Sequence, residues 1–78
     1  MKSRTPDERL LAQLYKLAQQ SGDLPIDSRL AARAASLKET AAKNIIKHLA
    51  QANFVKKVSD THLHLTPHGH KFVEEHLA

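Results

Sequence analysis

The chain has no cysteine and no tryptophan, and its only aromatic residues are Tyr15, Phe54 and Phe72. Without cysteine there is no disulfide framework and no thiolate metal site, which fits a reducing compartment. With so few rings the core must be Leu, Ile, Val and Ala, a composition that favours closely packed helices over a large pocket. A chain of 78 residues is read as one domain spanning 1–78. At that size only about 60% of the unfolded surface is buried, so the fold has a small margin of stability. An enzyme needs a concave, walled cleft, and there is little material here to build one. The sequence is therefore read as a non-enzyme, with no cofactor and no bound metal. No apolar run approaches the roughly 18 residues of a membrane span. The early cations Lys2 and Arg4 are followed by no apolar stretch, so no secretory signal is expected. These absences point to a soluble cytoplasmic protein.

Acidic residues are scarce in one place. Residues 28–57 carry Arg29, Arg33, Lys38, Lys43, Lys47, Lys56 and Lys57 against Glu39 alone, a net +6. Residues 1–27 balance Lys2, Arg4, Arg9 and Lys16 with Asp7, Glu8, Asp23 and Asp27, and residues 58–78 set Lys71 against Asp60, Glu74 and Glu75. Cations gathered into one third of a chain suit a polyanion-binding face. Basic surface also occurs on proteins that bind no nucleic acid.

Thr5-Pro6-Asp7-Glu8 predicts a helix start: Thr5 as N-cap, Pro6 at the first position, and Glu8 closing a capping box. Leu10, Leu11, Leu14, Leu17 and Ala18 recur at helical spacing, and Gly22 serves as a left-handed cap, giving α1 at 6–20. Asp23-Leu24-Pro25-Ile26 is extended, a short edge strand β1 that can pair with the later hairpin. Asp27 is the next N-cap, and α2 runs over 28–35 with alanines that permit close helix approach. Helix α3 is expected at 39–52. Ala42, Ile45, Ile46 and Leu49 face inward, while Thr40, Lys43, Asn44 and Lys47 form one stripe on the other side. Those side chains suit the major groove, where Asn pairs with adenine and Lys reaches guanine or phosphate. A solvated helix face has the same look. Asn53, tolerant of positive φ, ends α3. Strand β2 follows at 54–58, a turn at 59–61, and β3 at 62–65 with Leu63 and Leu65 inward and His62 and His64 outward. Thr66-Pro67 repeats the Thr-Pro start and opens α4, with Phe72, Val73, His76 and Leu77 near one face.

The expected class is mainly α with a small β-hairpin (α+β), in the order α1-β1-α2-α3-β2-β3-α4. Two stretches, Leu37 to Val55 and Leu65 to Glu75, carry a resemblance to the winged helix-turn-helix superfamily. The first looks like the bacterial recognition-helix pattern ending in Leu, two polar residues, Ala, Gly and two apolar residues. The second is similar to the Leu-Thr-x-x-Gly start of the last helix in regulators of the MarR and PadR type. The resemblance implies sequence-specific binding of double-stranded DNA, with Lys38, Glu39, Thr40, Lys43, Asn44 and Lys47 at the major groove. It makes Arg29 and Arg33 phosphate contacts, and Lys56 and Lys57 at the base of the wing can touch the backbone.

The chain departs from the pattern at several positions. Asn53 and Ser36 stand where glycine is usual. Lys38 stands where Ser or Thr usually opens the recognition helix, so Thr40 is expected to take part of that role. The wing is short, and Asp60 at its tip repels phosphate, so helix 3 carries most of the reading. A lone domain contacts a short half-site, and a weak or DNA-assisted homodimer is expected through α1 and α4. The same fold also serves as a protein-interaction adaptor, which the acidic wing tip and alanine-rich α2 would suit.

Six histidines are present. His62 and His64 share one strand face and are able to hold Zn²⁺ or Ni²⁺, but no Cys or carboxylate stands at a matching spacing. They are read as exposed or structural. Ser59, Asp60 and His62 cluster at a hairpin tip that offers no oxyanion hole, so no triad is assigned.

Overall fold

The computed structural model describes residues 4–22 and 24–77. Its elements are α1 (Pro6–Ser21), β1 (Ile26–Asp27), α2 (Ser28–Ala34), α3 (Glu39–Gln51), β2 (Val55–Lys57), β3 (His62–Leu65) and α4 (Pro67–His76). The expected order is the order found: a mainly helical chain with a small antiparallel sheet. Asp23 lies outside the described residues. No helix among the described residues is long and apolar enough to cross a membrane.

The capping box at the start of α1 is complete. Glu8 N–H donates to Thr5 Oγ1 at 3.2 Å, and Thr5 N–H donates to Glu8 Oε1 at 2.9 Å. The other end corrects an expectation. Gly22 has the positive φ foreseen, 64°, but its ψ of −122° lies far from the left-handed helical well. Only glycine enters that region readily, so the residue is required for a different bend than a left-handed cap.

α2 and α3 end in the same way. After α2, Ser36 N–H donates to Arg33 O and Leu37 N–H to Ala32 O; after α3, Asn53 N–H donates to Ala50 O and Phe54 N–H to Leu49 O. Both are Schellman motifs, and both put a side-chain-bearing residue at positive φ: Ser36 at 59° and Asn53 at 64°. The Asn53 stop is as foreseen. Phe54 therefore belongs to the end of the helix, and β2 is shorter than the predicted 54–58. At its far end Val58 and Ser59 N–H groups both donate to His62 O, which turns the chain.

β3 is the central strand of a sheet ordered β1-β3-β2. Ile26 lies opposite Leu63, and Val55 opposite Leu65. These four residues are buried, and they join Leu10, Leu11 and Leu14 of α1, Ala31 of α2, Ile45, Ile46 and Leu49 of α3, Val73 of α4 and Leu77 at its C-cap in one core. His62 and His64, expected to face out, are half-buried, because the central strand has neighbours on both sides.

The junction of α3, β2 and α4 is closely held. Thr66 Oγ1 accepts Gly69 N–H at 3.0 Å as the N-cap of α4 and donates to Asn53 O at 2.6 Å, while Thr66 N–H donates to Phe54 O at 3.0 Å. A Cβ on Gly69 would fall inside contact distance of the Phe54 carbonyl oxygen and 2.8 Å from Leu65 Cδ1. Close approach, not positive φ, is what demands this glycine. Arg4 donates to the Leu77 carbonyl and ties the start of α1 to the end of α4.

Candidate nucleic-acid interface

α3 buries Ala42, Ile45, Ile46 and Leu49. At 100° per residue, the side opposite that quartet belongs to Thr40, Lys43, Asn44 and Lys47, and all four are exposed. Among the described residues their side chains make no hydrogen bond or ion pair with the protein. Gln51, one helical turn beyond Lys47, is also exposed and extends the row. Gln51 is not among the expected groove residues, although the i+4 spacing from Lys47 points to it.

Lys38 is exposed and is the N-cap of α3, but its side chain makes no capping bond. Thr40, expected to share the opening role, is the second residue of the helix and caps nothing. Glu39 is exposed at the first helical position, where the helix dipole favours a carboxylate. It faces α2, bordering a small cleft together with Arg29 and Lys43.

The two arginines of α2 differ. Arg29 is held by Asp27: Nε donates to Oδ1 at 3.1 Å, Nη2 to Oδ2 at 2.9 Å, and the backbone N–H caps to Oδ1 at 2.9 Å. The side-chain hydrogen bonds from Arg29, followed by its backbone bond, bring the Asp27 carboxyl down to about 2 from the usual 3.8. The guanidinium is correspondingly raised above its ordinary value by the same pairing. Asp27, expected as a cap alone, also neutralises Arg29. Arg33, one turn on, is exposed and forms no such pair.

The two lysines of β2 differ as well. Lys57 pairs in register with Leu63, so it lies on the helix-facing side of the sheet, whereas Lys56 pairs with His64 on the other side. Lys57 and Lys43 accordingly share a cleft of about 230 Å³ between α3 and the hairpin. Ile46 and Leu63 line its apolar part, and Ser28, Ser59, Asp60 and His62 complete it. The fold thus joins Lys57 to the α3 row and leaves Lys56 apart. Asp60, expected only at a wing tip, lines the same cleft as Lys43.

Four of the six histidines are occupied with local packing. His62 Nδ1 lies 2.8 Å from Thr61 Oγ1. His68 stacks on Phe54 at 4.8 Å, His76 lies 4.9 Å from Phe72, and His70 meets Tyr15 edge-on at 5.5 Å. Among the described residues no group of three or more His, Cys, Asp or Glu is placed to hold a metal ion.

No family model, curated protein or solved structure matches the chain.

The arrangement presents a row of hydrogen-bonding and cationic side chains on a rigid helix, with Lys57 beside it and Arg33 and Lys38 exposed nearby in sequence. Such a row can enter a groove of a polyanion, donate to base edges from Lys and Asn, and accept through the Asn and Thr oxygens. Tyr15 donates to Glu74 Oε2 at 3.1 Å on the α1–α4 side, and partial burial, then that bond, raises its phenol above the ordinary value. It is committed to packing α4, not to stacking on bases.

Proposed function

We propose that the chain is a winged helix-turn-helix protein that binds duplex DNA sequence-specifically, as a transcriptional regulator does. One observation carries this reading: Thr40, Lys43, Asn44 and Lys47 form an unbroken exposed row opposite the buried face of α3, within a segment of net charge +6. In this reading α3 lies in the major groove. Asn44 pairs with an adenine edge, Lys43 and Lys47 reach guanine or phosphate, and Thr40 offers its hydroxyl and methyl. Lys38, Arg33 and Lys57 bind phosphate and fix the docking register. Arg29 contributes less because Asp27 already holds it, and Lys56 less because it lies across the sheet.

Fluorescence anisotropy of a labelled generic duplex, titrated with the protein over a series of salt concentrations, tests the proposal. Three to five phosphate contacts predict a log–log slope of about −3 to −4.5. Absence of binding at low salt, or binding that ignores salt, defeats it.

A second reading, an adaptor that docks another protein, draws on a different observation. Phe54 and Phe72 are half-exposed beside an apolar groove on the far flank of α3, and Asp60 puts a carboxylate at the hairpin tip. That reading places the functional contacts on α1 and α4 and leaves the α3 row in water.

A further inference from the structure

The cleft of about 230 Å³ between α3 and the hairpin holds charges of both signs that do not meet. Lys43 of α3 and Lys57 of β2 line it, and so does Asp60 from the turn between β2 and β3. Among the described residues these three side chains form no ion pair and no hydrogen bond. The two serines in the lining are already oriented. Ser28 Oγ donates to Thr61 O at 3.1 Å, which leaves its lone pairs to accept. Ser59 Oγ accepts N–H groups from His62 at 3.2 Å and Thr61 at 3.4 Å, which leaves its own proton to donate. Ile46 and Leu63, both buried, supply the apolar part. A second lobe of about 80 Å³ toward α2 shares Lys43, Ile46 and Asp60 and adds Ala32 and Ala42. Glu39 and Arg29, the latter held by Asp27, border that lobe.

We propose that this cleft binds a free α-amino acid with a short aliphatic side chain. The carboxylate of the ligand meets Lys43 and Lys57 and accepts the Ser59 hydroxyl. Its ammonium meets Asp60 and donates to Ser28 Oγ. Its aliphatic chain lies over Ile46 toward Ala32 and Ala42. Other small ligands leave a charge unmatched. A simple carboxylic acid or phosphate brings a second anion up to Asp60, and an amine brings a cation up to two lysines. A purely apolar molecule takes water from all three charges and returns nothing. Size points the same way. At about 30 Å³ per water the cleft has room for roughly eight waters, the scale of one small amino acid and too little for a peptide or a nucleotide. The charged side chains are exposed, so their attraction is screened and the dissociation constant is about 1 mM. This binding does not depend on the DNA reading. If both hold, amino acid and duplex compete for Lys43 and Lys57, and the ligand releases the DNA.

A chemical-shift titration of the full chain with L-leucine, in the absence of DNA, tests the proposal. Saturable shifts are expected at Lys43, Ser59, Asp60 and His62, half complete at about 1 mM. Isocaproate, which lacks the amine, and isoamylamine, which lacks the carboxylate, bind about fivefold more weakly or worse. Asp60→Asn weakens leucine about fivefold and strengthens isocaproate, because the repulsion goes with the charge. Lys57→Ala weakens leucine and isocaproate alike. Circular dichroism of each variant controls for folding. Absence of saturable shifts with leucine overturns the proposal. So does isocaproate or isoamylamine binding as tightly as leucine, or an Asp60→Asn variant that binds leucine unchanged. Shifts confined to Leu11, Ala52 and Phe72 place the ligand in the groove on the other flank of α3 and overturn it too. Leucine binding in a chain that binds no duplex supports the cleft and counts against the DNA reading alone.

Discussion

On α3, four buried residues on one side hold Thr40, Lys43, Asn44 and Lys47 in a single row on the other; in the hairpin, strand alternation sends Lys56 and Lys57 to opposite faces. Both segments are basic. The helix gathers residues three and four apart, whereas the strand divides neighbours. The helix is also the longer element, thirteen residues against strands of three and four. The hairpin adds one lysine to the row and sets Asp60 near it, so its tip limits the potential that the row creates. If DNA is bound, α3 reads and the hairpin supports.

The largest expected effect removes the support that both regions share. Gly69→Ala forces α4 off the Phe54 carbonyl, at the junction that joins the end of α3 to β2. Overpacking of this kind costs about 1–3 kcal/mol, read as a lower midpoint in urea unfolding. An unchanged midpoint means that the α3–β2–α4 junction is looser than its geometry indicates.

Substitutions in the two regions then separate reading from support. Asn44→Ala is expected to cost about 1–3 kcal/mol of discrimination between a preferred and a changed base pair. Asp60→Asn strengthens binding to all duplexes alike, because it removes a repelling charge and touches no base. A change of sequence preference in the Asp60 variant, with none in the Asn44 variant, reverses the roles assigned to hairpin and helix.

A finer division concerns charges that look equivalent along the chain. Lys47→Ala and Lys57→Ala should each reduce the steepness of the salt dependence by about 0.9, the loss of one phosphate contact. Lys56→Ala leaves it nearly unchanged. Equal effects from Lys56 and Lys57 contradict their placement on opposite faces of the sheet.

Backbone and pH effects are smaller. Ser36→Gly relieves a side chain at positive φ between α2 and α3 and should stabilise by about 1 kcal/mol, more than Asn53→Gly, since Asn tolerates that conformation better. Asp27 has a lowered carboxyl pKa in the folded chain, so its contribution is fully present above the unfolded value near 3.8 and is lost as the pH falls through about 2. Thermal unfolding followed from pH 5 to pH 2 should show that loss in the native chain and much less of it in Asp27→Asn, in which the cap survives and the ion pair does not.

Much of the fold was legible because its signals are local. Thr5, Asp27, Thr66 and Asn53 announce helix ends through their own backbone chemistry, and the Leu63–Leu65 alternation announces a strand. The stripe on α3 follows from spacing alone. What escaped depends on pairing across the fold. The Asp27 bonds to Arg29 compete with its use as a phosphate contact, and nothing in the spacing separates a cap from a cap that also holds a guanidinium. The division of Lys56 from Lys57 needs the register with His64 and Leu63. The need for Gly69 is invisible until α4 is seen against Phe54 O, and the half-burial of His62 and His64 follows from β3 lying between two neighbours.

The most direct test of the central claim is a chemical-shift titration of the labelled protein with a generic duplex at two salt concentrations. The account predicts shifts at Thr40, Lys43, Asn44, Lys47 and Gln51, with smaller ones at Lys57, and weaker binding at the higher salt. Shifts confined to α1 and α4, or none at low salt, contradict it.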